Sequence, residues 1–520
     1  MQKPIRKIVI VGGGTAGWIT AGLVAARAQL TSRDLDIALI ESPDIPTIGV
    51  GEGTWPSMRM TLQKIGIREA DLIRHCDASF KQGTLFIDWF RVGAKHRYIH
   101  PFSFPVEYST VNLAGYWLDN KSHIPFADFV TPQAQVIATG RAPKQASTPE
   151  YAFNVNYGYH FDAGKFAQLL HQHAVDKLGV DYVSANVERI KSDLDGNISA
   201  VVLTSGEEIE GDLFIDCTGQ RALLIGQHFG VDFVSVRDVL LNDAAIAVQV
   251  PYAAASDPIA STTHATAVGH GWIWDIGLQT RRGIGHVYST AHADESAAMA
   301  TLRDYVRRTS PDVDIGDLAF RSIFFEPGYR REFWVKNCVA VGLSGGFIEP
   351  LEASALALIE QAASIISQQM PANSEVMPVV ARRFNARMRY NWDRVVEFLK
   401  LHYVLSERDD SDYWRDCRSL TSCPAELQDK LLLWQQQPPW HDDAPRVDEL
   451  FPSASYQYVL FGMGFEPKYP AGYAAGTRQD LERVDRLLHE NNETARRMLE
   501  LLPSNRELLS TIMSARGVEA

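Results

Sequence analysis

Short apolar runs broken by glycine dominate the first forty residues. Residues 7–11 alternate poorly and read as a buried strand, residues 19–30 are alanine-rich and read as a helix, and residues 37–40 form a second apolar run ending at Glu41. The same grammar returns later. A helical period over 163–178 stops at Gly179, and two strand-like runs, 187–190 and 198–204, flank an Asp195-Gly196 turn. Residues 212–216 form a strand that ends in D-C-T-G and brings the chain back to the sheet begun at residue 7. Residues 233–333 read as mostly β, with runs near 244–250, 271–278 and 285–289. A run at 338–341 leads through a Gly-rich turn into a helix from 355, and beyond it the pattern is helical at 379–403, 427–437 and 478–513. Segments near 103–150 and 434–456 are loop-rich, and residues 456–465 are aromatic and Gly-rich, suited to a substrate pocket or to packing under a loop.

This pattern predicts an α/β fold. A Rossmann-like dinucleotide domain would be assembled from 1–100, 155–232 and 334–370. A β-rich substrate region (101–154 with 233–333) and a mainly helical C-terminal region (371–520) would complete it.

Composition narrows the functions available. With 520 residues and 46% hydrophobic content the chain can bury a large core, and a net charge of −13 argues against nucleic acid as the main partner. No run of about 18 apolar residues suggests a membrane span, and the N-terminus does not read as a signal peptide. The five cysteines show no C-x-x-C, which points to a reducing, cytoplasmic setting and to no zinc site.

Two stretches carry chemistry on their own terms. Gly12, Gly14 and Gly17 form G-x-G-x-x-G between a strand and a helix, with Glu41 at the end of the next strand. Glycines there let a backbone approach a pyrophosphate, the helix N-terminus stabilises its charge, and the acid accepts hydrogen bonds from a ribose. The second stretch, 341–354, is a Gly-rich turn before a helix, with Glu349 and Glu352 beside it. Such a turn exposes backbone N–H groups and can hold an anion. Other features are neutral alone. The loop 48–56 is a strap or a connector, Lys81 is a lone lysine among apolar residues, and Trp272 and Trp274 share one face of a strand.

Together these segments resemble the flavin-dependent tryptophan halogenase family over nearly the full length. The residues that carry the resemblance are Gly12–Trp18, Gly49-Val-Gly-Glu-Gly53, Ser79-Phe-Lys81, Gly271-Trp-Ile-Trp274 with Ile276, and Glu349-Pro-Leu-Glu352. The resemblance implies a flavoprotein monooxygenase-like fold that binds FAD. Its cofactor contacts would be Gly12, Gly14, Thr15, Ala16, Gly17, Glu41, Gly49, Val50, Gly51, Glu52, Asp216, Gly342 and Ile348. It implies Lys81 and Glu352 as catalytic residues, and halide held at Ser354 and Ala355. His100, Phe102, Trp272, Trp274 and Pro350 would line the substrate pocket and tunnel. The implied chemistry uses reduced FAD from a separate reductase, oxygen, and chloride or bromide. Hypohalous acid would pass Trp272 and Trp274 to Lys81, which activates the halogen, and Glu352 would take the ring proton as general base. The expected substrate is indole or a simple indole derivative, with free tryptophan second, and a homodimer is compatible with this reading.

Two positions depart from the family pattern. Gly277 replaces a proline, with loosening of the Trp wall expected. Ala355 replaces a glycine, with a costlier positive φ expected. The rival functions are an aromatic hydroxylase, which would need neither Lys81 nor the Trp pair, and a non-catalytic redox-responsive flavoprotein. A second fingerprint for NAD(P)H is not seen, which favours the two-component system.

Overall fold

The computed structural model describes residues 3–45, 51–93, 96–120, 124–468 and 478–515. The chain forms two compact units: 1–77 with 161–236 and 326–393, and 78–160 with 237–325 and 394–520. The first boundary therefore falls after residue 77 instead of 100, and the helices after 394 group with the β-rich part and not by themselves.

The first unit is built on a six-stranded sheet. Its order is Trp334–Val335, Cys338–Ala340, Leu213–Asp216, Lys7–Val11, Asp36–Glu41, Asp181–Ser184. All neighbours are parallel except the first pair. Strands of such a sheet are covered on both faces and so read as continuous apolar runs. Ile8, Val9 and Ile10 are fully buried. The helix Thr15–Leu30 is buried over most of its surface, including Gly17, Ala21, Gly22, Ala25 and Ala28, because helices Ala163–Leu178 and Ser354–Gln368 both pack on it. A third helix, Ser57–Ile65, packs there too, and a small residue admits it: a Cβ at Gly22 would sit 3.2 Å from the Ile65 side chain. A meander of Val187–Ser192, Ile198–Leu203 and Glu208–Glu210 shares a core with the sheet through Val9, Val201, Phe214 and Ile225.

The second unit carries a seven-stranded sheet. Its order is Phe320–Phe324, Ala244–Pro251, Arg281–Tyr288, Gly271–Gly277, Thr263–Val268, Gly83–Ile87, Arg97–Pro101. Every pair is antiparallel except Thr263–Val268 with Gly83–Ile87. Helix Glu295–Thr309 covers one region of this sheet, where Leu302 and Val306 meet Ile246, Val248, Ile273 and Ile284.

The helical pattern expected over 478–513 is two helices, Arg478–Leu501 and Asn505–Ser514. Pro503 cannot donate to a continuing helix, and Ser504 starts the second one with a reciprocal capping box to Glu507. The loop-rich stretch near 103–150 contains three short helices, Leu113–Asn120, Phe126–Val130 and Gln133–Ala138.

Candidate active site

The turn after strand Lys7–Val11 has the shape its spacing predicted. Gly12 has φ +114°, and a Cβ there would lie 2.1 Å from the Cys217 carbonyl oxygen. A Cβ at Gly17 would lie 1.9 Å from the Gly12 carbonyl oxygen, while one at Gly14 would meet no protein atom within 4 Å. The outer glycines are needed by the protein, and the middle one faces open space. That is the cradle a pyrophosphate requires, so these residues fit a dinucleotide. The helix begins at Thr15 with no acidic residue in its first turn, leaving its positive end unopposed. Thr15 and Ala16 are its first residues. Gly342, at φ +75°, approaches the same turn, since its Cβ would lie 2.8 Å from that of Ala16.

Glu41 ends its strand half-buried. Burial pushes its carboxyl up, opposed by the nearby His171 and by a hydrogen bond from Tyr182. His171 in turn stacks on Trp18 with centroids 4.5 Å apart and rings 11° from parallel. Gly13, an unassigned position of the fingerprint, matters as much as its neighbours. A Cβ there would sit 2.2 Å from the Glu41 Cδ, so a larger residue would make the acid's side chain move aside. A spacing rule that treats this position as free cannot reveal it.

The carboxylate of Asp216, a residue expected at the cofactor, is engaged by the protein itself. One carboxylate oxygen accepts from the Thr218 N–H and hydroxyl, and the other from the N–H groups of Leu224 and Ile225. Its acceptor sites are filled by protein, and the residue is fully buried. Asp216 builds the turn and caps the π-helix Leu223–His228. Gly49 and Val50 lie outside the described residues. Gly51 has φ +96°, and Glu52, next to it, has its carboxyl pushed up to about 7 by burial.

The turn 342–353 is dense with glycine and acid. Ile348 is buried, Pro350 half-buried, and Glu349 and Glu352 are 1% and 4% exposed. The Trp55 indole N–H donates to the Glu352 carbonyl at 2.7 Å, which fixes this segment. The left-handed residue is Ala353, at φ 55° and ψ 38°, and not Ala355. Ser354 and Ala355 are the first two residues of the helix, where an ordinary helical φ suffices and alanine is welcome. The expected strain therefore sits two residues earlier. That helix also has no acid in its first turn. A cavity lined by Gly342, Leu343, Phe347, Ile348, Ser354 and Ala355 opens there. One turn further along, Glu360 accepts from the hydroxyls of Ser57 (3.0 Å) and Thr61 (2.5 Å), and burial pushes its carboxyl up to about 7.

In the second unit, Lys81 lies on the short strand Ser79–Lys81, which pairs antiparallel with Gly158–Phe161. It is 1% exposed, and its Nζ lies 5.5 Å from the centre of the Phe102 ring. An aromatic face stabilises a dry ammonium by about 1–2 kcal/mol. His100 is buried, with Nε2 3.0 Å from the Ser455 hydroxyl and its ring 5.8 Å and 6.0 Å from those of Phe398 and Tyr458. Ser455 and Tyr458 belong to helix Ser453–Gly462, and the Tyr458 hydroxyl donates to the Ser103 carbonyl at 2.9 Å. The aromatic segment thus frames the His100–Phe102 strand end, while Tyr456 turns to Glu397 and Phe398 as packing. Ser455 carried no signal in the sequence, because its role depends on contact with a residue 355 positions away.

Trp272 is fully buried and Trp274 6% exposed, with rings 6.4 Å apart. Gly285 stands opposite Trp274 in the ladder, and a Cβ there would lie 2.0 Å from the indole. Gly277 is the position where loosening was expected. The residue remains paired with Arg282, and the Ser79 hydroxyl donates to its carbonyl at 2.5 Å, tying the Trp strand to the Lys81 strand. Lys81 and Glu352 lie on different units. Among the described residues no cluster suited to a metal ion occurs, and no helix is long and apolar enough to cross a membrane.

The family model described as tryptophan halogenase matches residues 7–478. Tryptophan 7-halogenase RebH of Lentzea aerocolonigenes is 33% identical, over 98% of this chain and 99% of that protein. A crystal structure of a tryptophan halogenase from Shewanella frigidimarina is 47% identical with a TM-score of 0.94, covering 99% of this chain and 98% of the other. A tryptophan C-6 flavin-dependent halogenase (chlorinase) from taromycin biosynthesis is 31% identical with a TM-score of 0.90, covering 98% and 100%.

Proposed function

The chain belongs to the tryptophan halogenase family, and from that premise we propose that it installs chloride or bromide on an electron-rich ring, that of indole or a simple indole derivative, with free tryptophan second. It is an FADH2-dependent halogenating enzyme. Reduced FAD, delivered by a separate flavin reductase, supplies with oxygen the oxidising power that turns halide into hypohalous acid. The residues of this chain do the rest.

Gly12, Gly14 and Gly17 with the helix N-terminus at Thr15 hold the pyrophosphate, and Glu41 holds a ribose. The N–H groups of Ser354 and Ala355 hold the halide against apolar walls. Trp272 and Trp274 keep an aromatic ring away from the cofactor while a two-heavy-atom oxidant can pass. His100 and Phe102 orient the ring. Lys81 activates the halogen, and Glu352 removes the proton from the cationic ring. Pro350, in the same turn as Glu352, lines the tunnel.

The observation that carries this reading is the burial of Lys81 at 1% exposure beside an aromatic face, on a chain matched by the family model almost end to end. The test is mass spectrometry of the reaction with reduced FAD, oxygen and chloride or bromide over indole, tryptophan and phenol. The product gains a halogen isotope pattern, and Lys81→Ala lowers it by about a thousandfold while FAD affinity stays unchanged. A gain of one oxygen instead of halogen overturns the reading in favour of a hydroxylase.

A further inference from the structure

His160 is a residue to which the chemistry above gives no task. In the ladder between Ser79–Lys81 and Gly158–Phe161, His160 stands opposite Ser79, and Gly158 stands opposite Lys81. Directly opposed residues of an antiparallel pair point to the same face, as do residues two apart on one strand. Ser79, Lys81 and His160 therefore share a face, and no side chain stands opposite the lysine. His160 is 0% exposed. Its Nε2 lies 2.9 Å from the Thr263 hydroxyl, while its Nδ1 is buried with no hydrogen-bond partner.

Burial first, then the neighbouring Lys81 and His264, hold the ring well below the usual imidazole range, so it is neutral. A neutral imidazole carries one N–H. Thr263 can accept that proton at Nε2, whereas a proton on Nδ1 would be a buried donor with nothing to receive it. The proton therefore belongs on Nε2, and the Nδ1 lone pair is an unmet acceptor on a ring that shares its face of the ladder with Lys81.

We propose that His160 Nδ1 is a docking point for hypohalous acid: it accepts the hydrogen bond of the acid's O–H and holds the small oxidant next to Lys81. The ligand class is a neutral hydroxylic molecule of two heavy atoms. The step is non-covalent, and no proton leaves the acid. This inference rests on the assignment of Lys81 above.

The experiment measures where the oxidant goes. FAD-loaded enzyme turns over with indole and bromide in the presence of a 1,3-diketone that is halogenated by free hypohalous acid. Halogenated indole and halogenated trap are both counted per reduced FAD consumed. In His160→Leu the total oxidant stays the same, but the share reaching indole falls about tenfold and the trap gains what indole loses. His160→Asn, which retains an amide oxygen, recovers part of that share. An unchanged partition in His160→Leu overturns the proposal, and so does a fall in product without a rise in trap, which marks a structural role.

Should the leucine variant lose FAD absorbance, Thr263→Val takes its place. It removes the partner that fixes the proton on Nε2 and must leak oxidant in the same way, with an unchanged partition again overturning the proposal. Lys81→Ala runs alongside. If it keeps its product, the lysine assignment fails and this inference fails with it. If it loses product while the His160 partition stays unchanged, this inference fails alone.

Discussion

A methyl group added at Gly14 would meet no protein atom within 4 Å, whereas one added at Gly285 would lie 2.0 Å from the Trp274 ring. In the proposed function both positions need the smallest residue, for opposite reasons. In the first unit, glycine clears space for something that is not protein. In the second, it clears space for the protein's own indole. The difference runs through both regions. In the proposed function the chemistry around residues 12–17 and 342–355 lies in backbone N–H groups and helix ends. Around Lys81 and Trp274 it lies in side chains seated by ladder register.

Exchanging glycine for alanine at these two positions gives the largest contrast. Gly14→Ala puts a methyl where the pyrophosphate approaches, so FAD affinity falls about a hundredfold while the stability of the FAD-free protein hardly moves. Gly285→Ala does the reverse: overpacking against Trp274 costs about 3 kcal/mol of stability. FAD affinity, measured below the melting range, is retained. Titration of flavin fluorescence and urea unfolding of both variants decide it. If Gly285→Ala weakens FAD and Gly14→Ala unfolds the protein, the division between the two kinds of site is wrong.

The next contrast is in ionisation. Glu360, in the first unit, ionises near 4.5 in the unfolded chain and near 7 in the folded one. Between those values the folded state binds more protons, so this group's contribution falls as pH rises from about 4.5 to about 7 and is level above that. Glu360→Gln removes the titration while the amide oxygen can still accept from Ser57 or Thr61. It should raise stability at pH 8 by on the order of 2 kcal/mol and leave pH 5 nearly unchanged. Unfolding midpoints at pH 5, 6, 7 and 8 test this, and a variant that falls in parallel with the parent rules it out. The His160 ring, neutral when folded but titrating near 6.5 in the unfolded chain, contributes a slope of the opposite sign: its contribution to stability rises as pH climbs towards that value and is level above it.

What was legible in the sequence divides in the same way. The turn at Gly12, Gly14 and Gly17 and the strand end at Glu41 could be read because a strand–turn–helix is local and its spacing is fixed by backbone geometry. Gly13 could not, since its reason is a side chain from the next strand. For Asp216 only the fold shows that four protein donors occupy its carboxylate. The β-rich unit offered Trp272 and Trp274 through simple alternation. Gly285, Ser455 and His160 depend on which strand or helix lies opposite, information that sequence periodicity does not carry.

Ser455 sharpens the side-chain half of the comparison at smaller scale. Its hydroxyl is the partner of His100 Nε2 at 3.0 Å. Ser455→Ala leaves a buried ring nitrogen without that partner, worth about 1 kcal/mol. Because His100 is read as orienting the ring, KM for indole should rise about fivefold with kcat little changed. Equal falls in kcat for indole and for a phenol, with KM constant, would place His100 outside the ring pocket.

The smallest effect belongs to Ala353, where the backbone half of the comparison is under strain. Its left-handed φ of 55° places Cβ against its own carbonyl, a cost that glycine does not bear. Glycine also loosens the unfolded chain, which offsets part of the gain. Ala353→Gly should therefore stabilise the protein by about 0.5–1 kcal/mol, read as a small rise in the urea midpoint at constant slope. The informative measurement is the KM for halide in the same variant. The turn is held on one side by the Trp55–Glu352 hydrogen bond and on the other by the helix beginning at Ser354. If those two restraints fix the N–H groups of Ser354 and Ala355, KM stays constant and the strain at Ala353 is incidental. If KM rises while stability improves, the alanine methyl is what keeps the turn in the shape that receives the anion, and a side chain would then be setting backbone chemistry in the unit where backbone seemed sufficient.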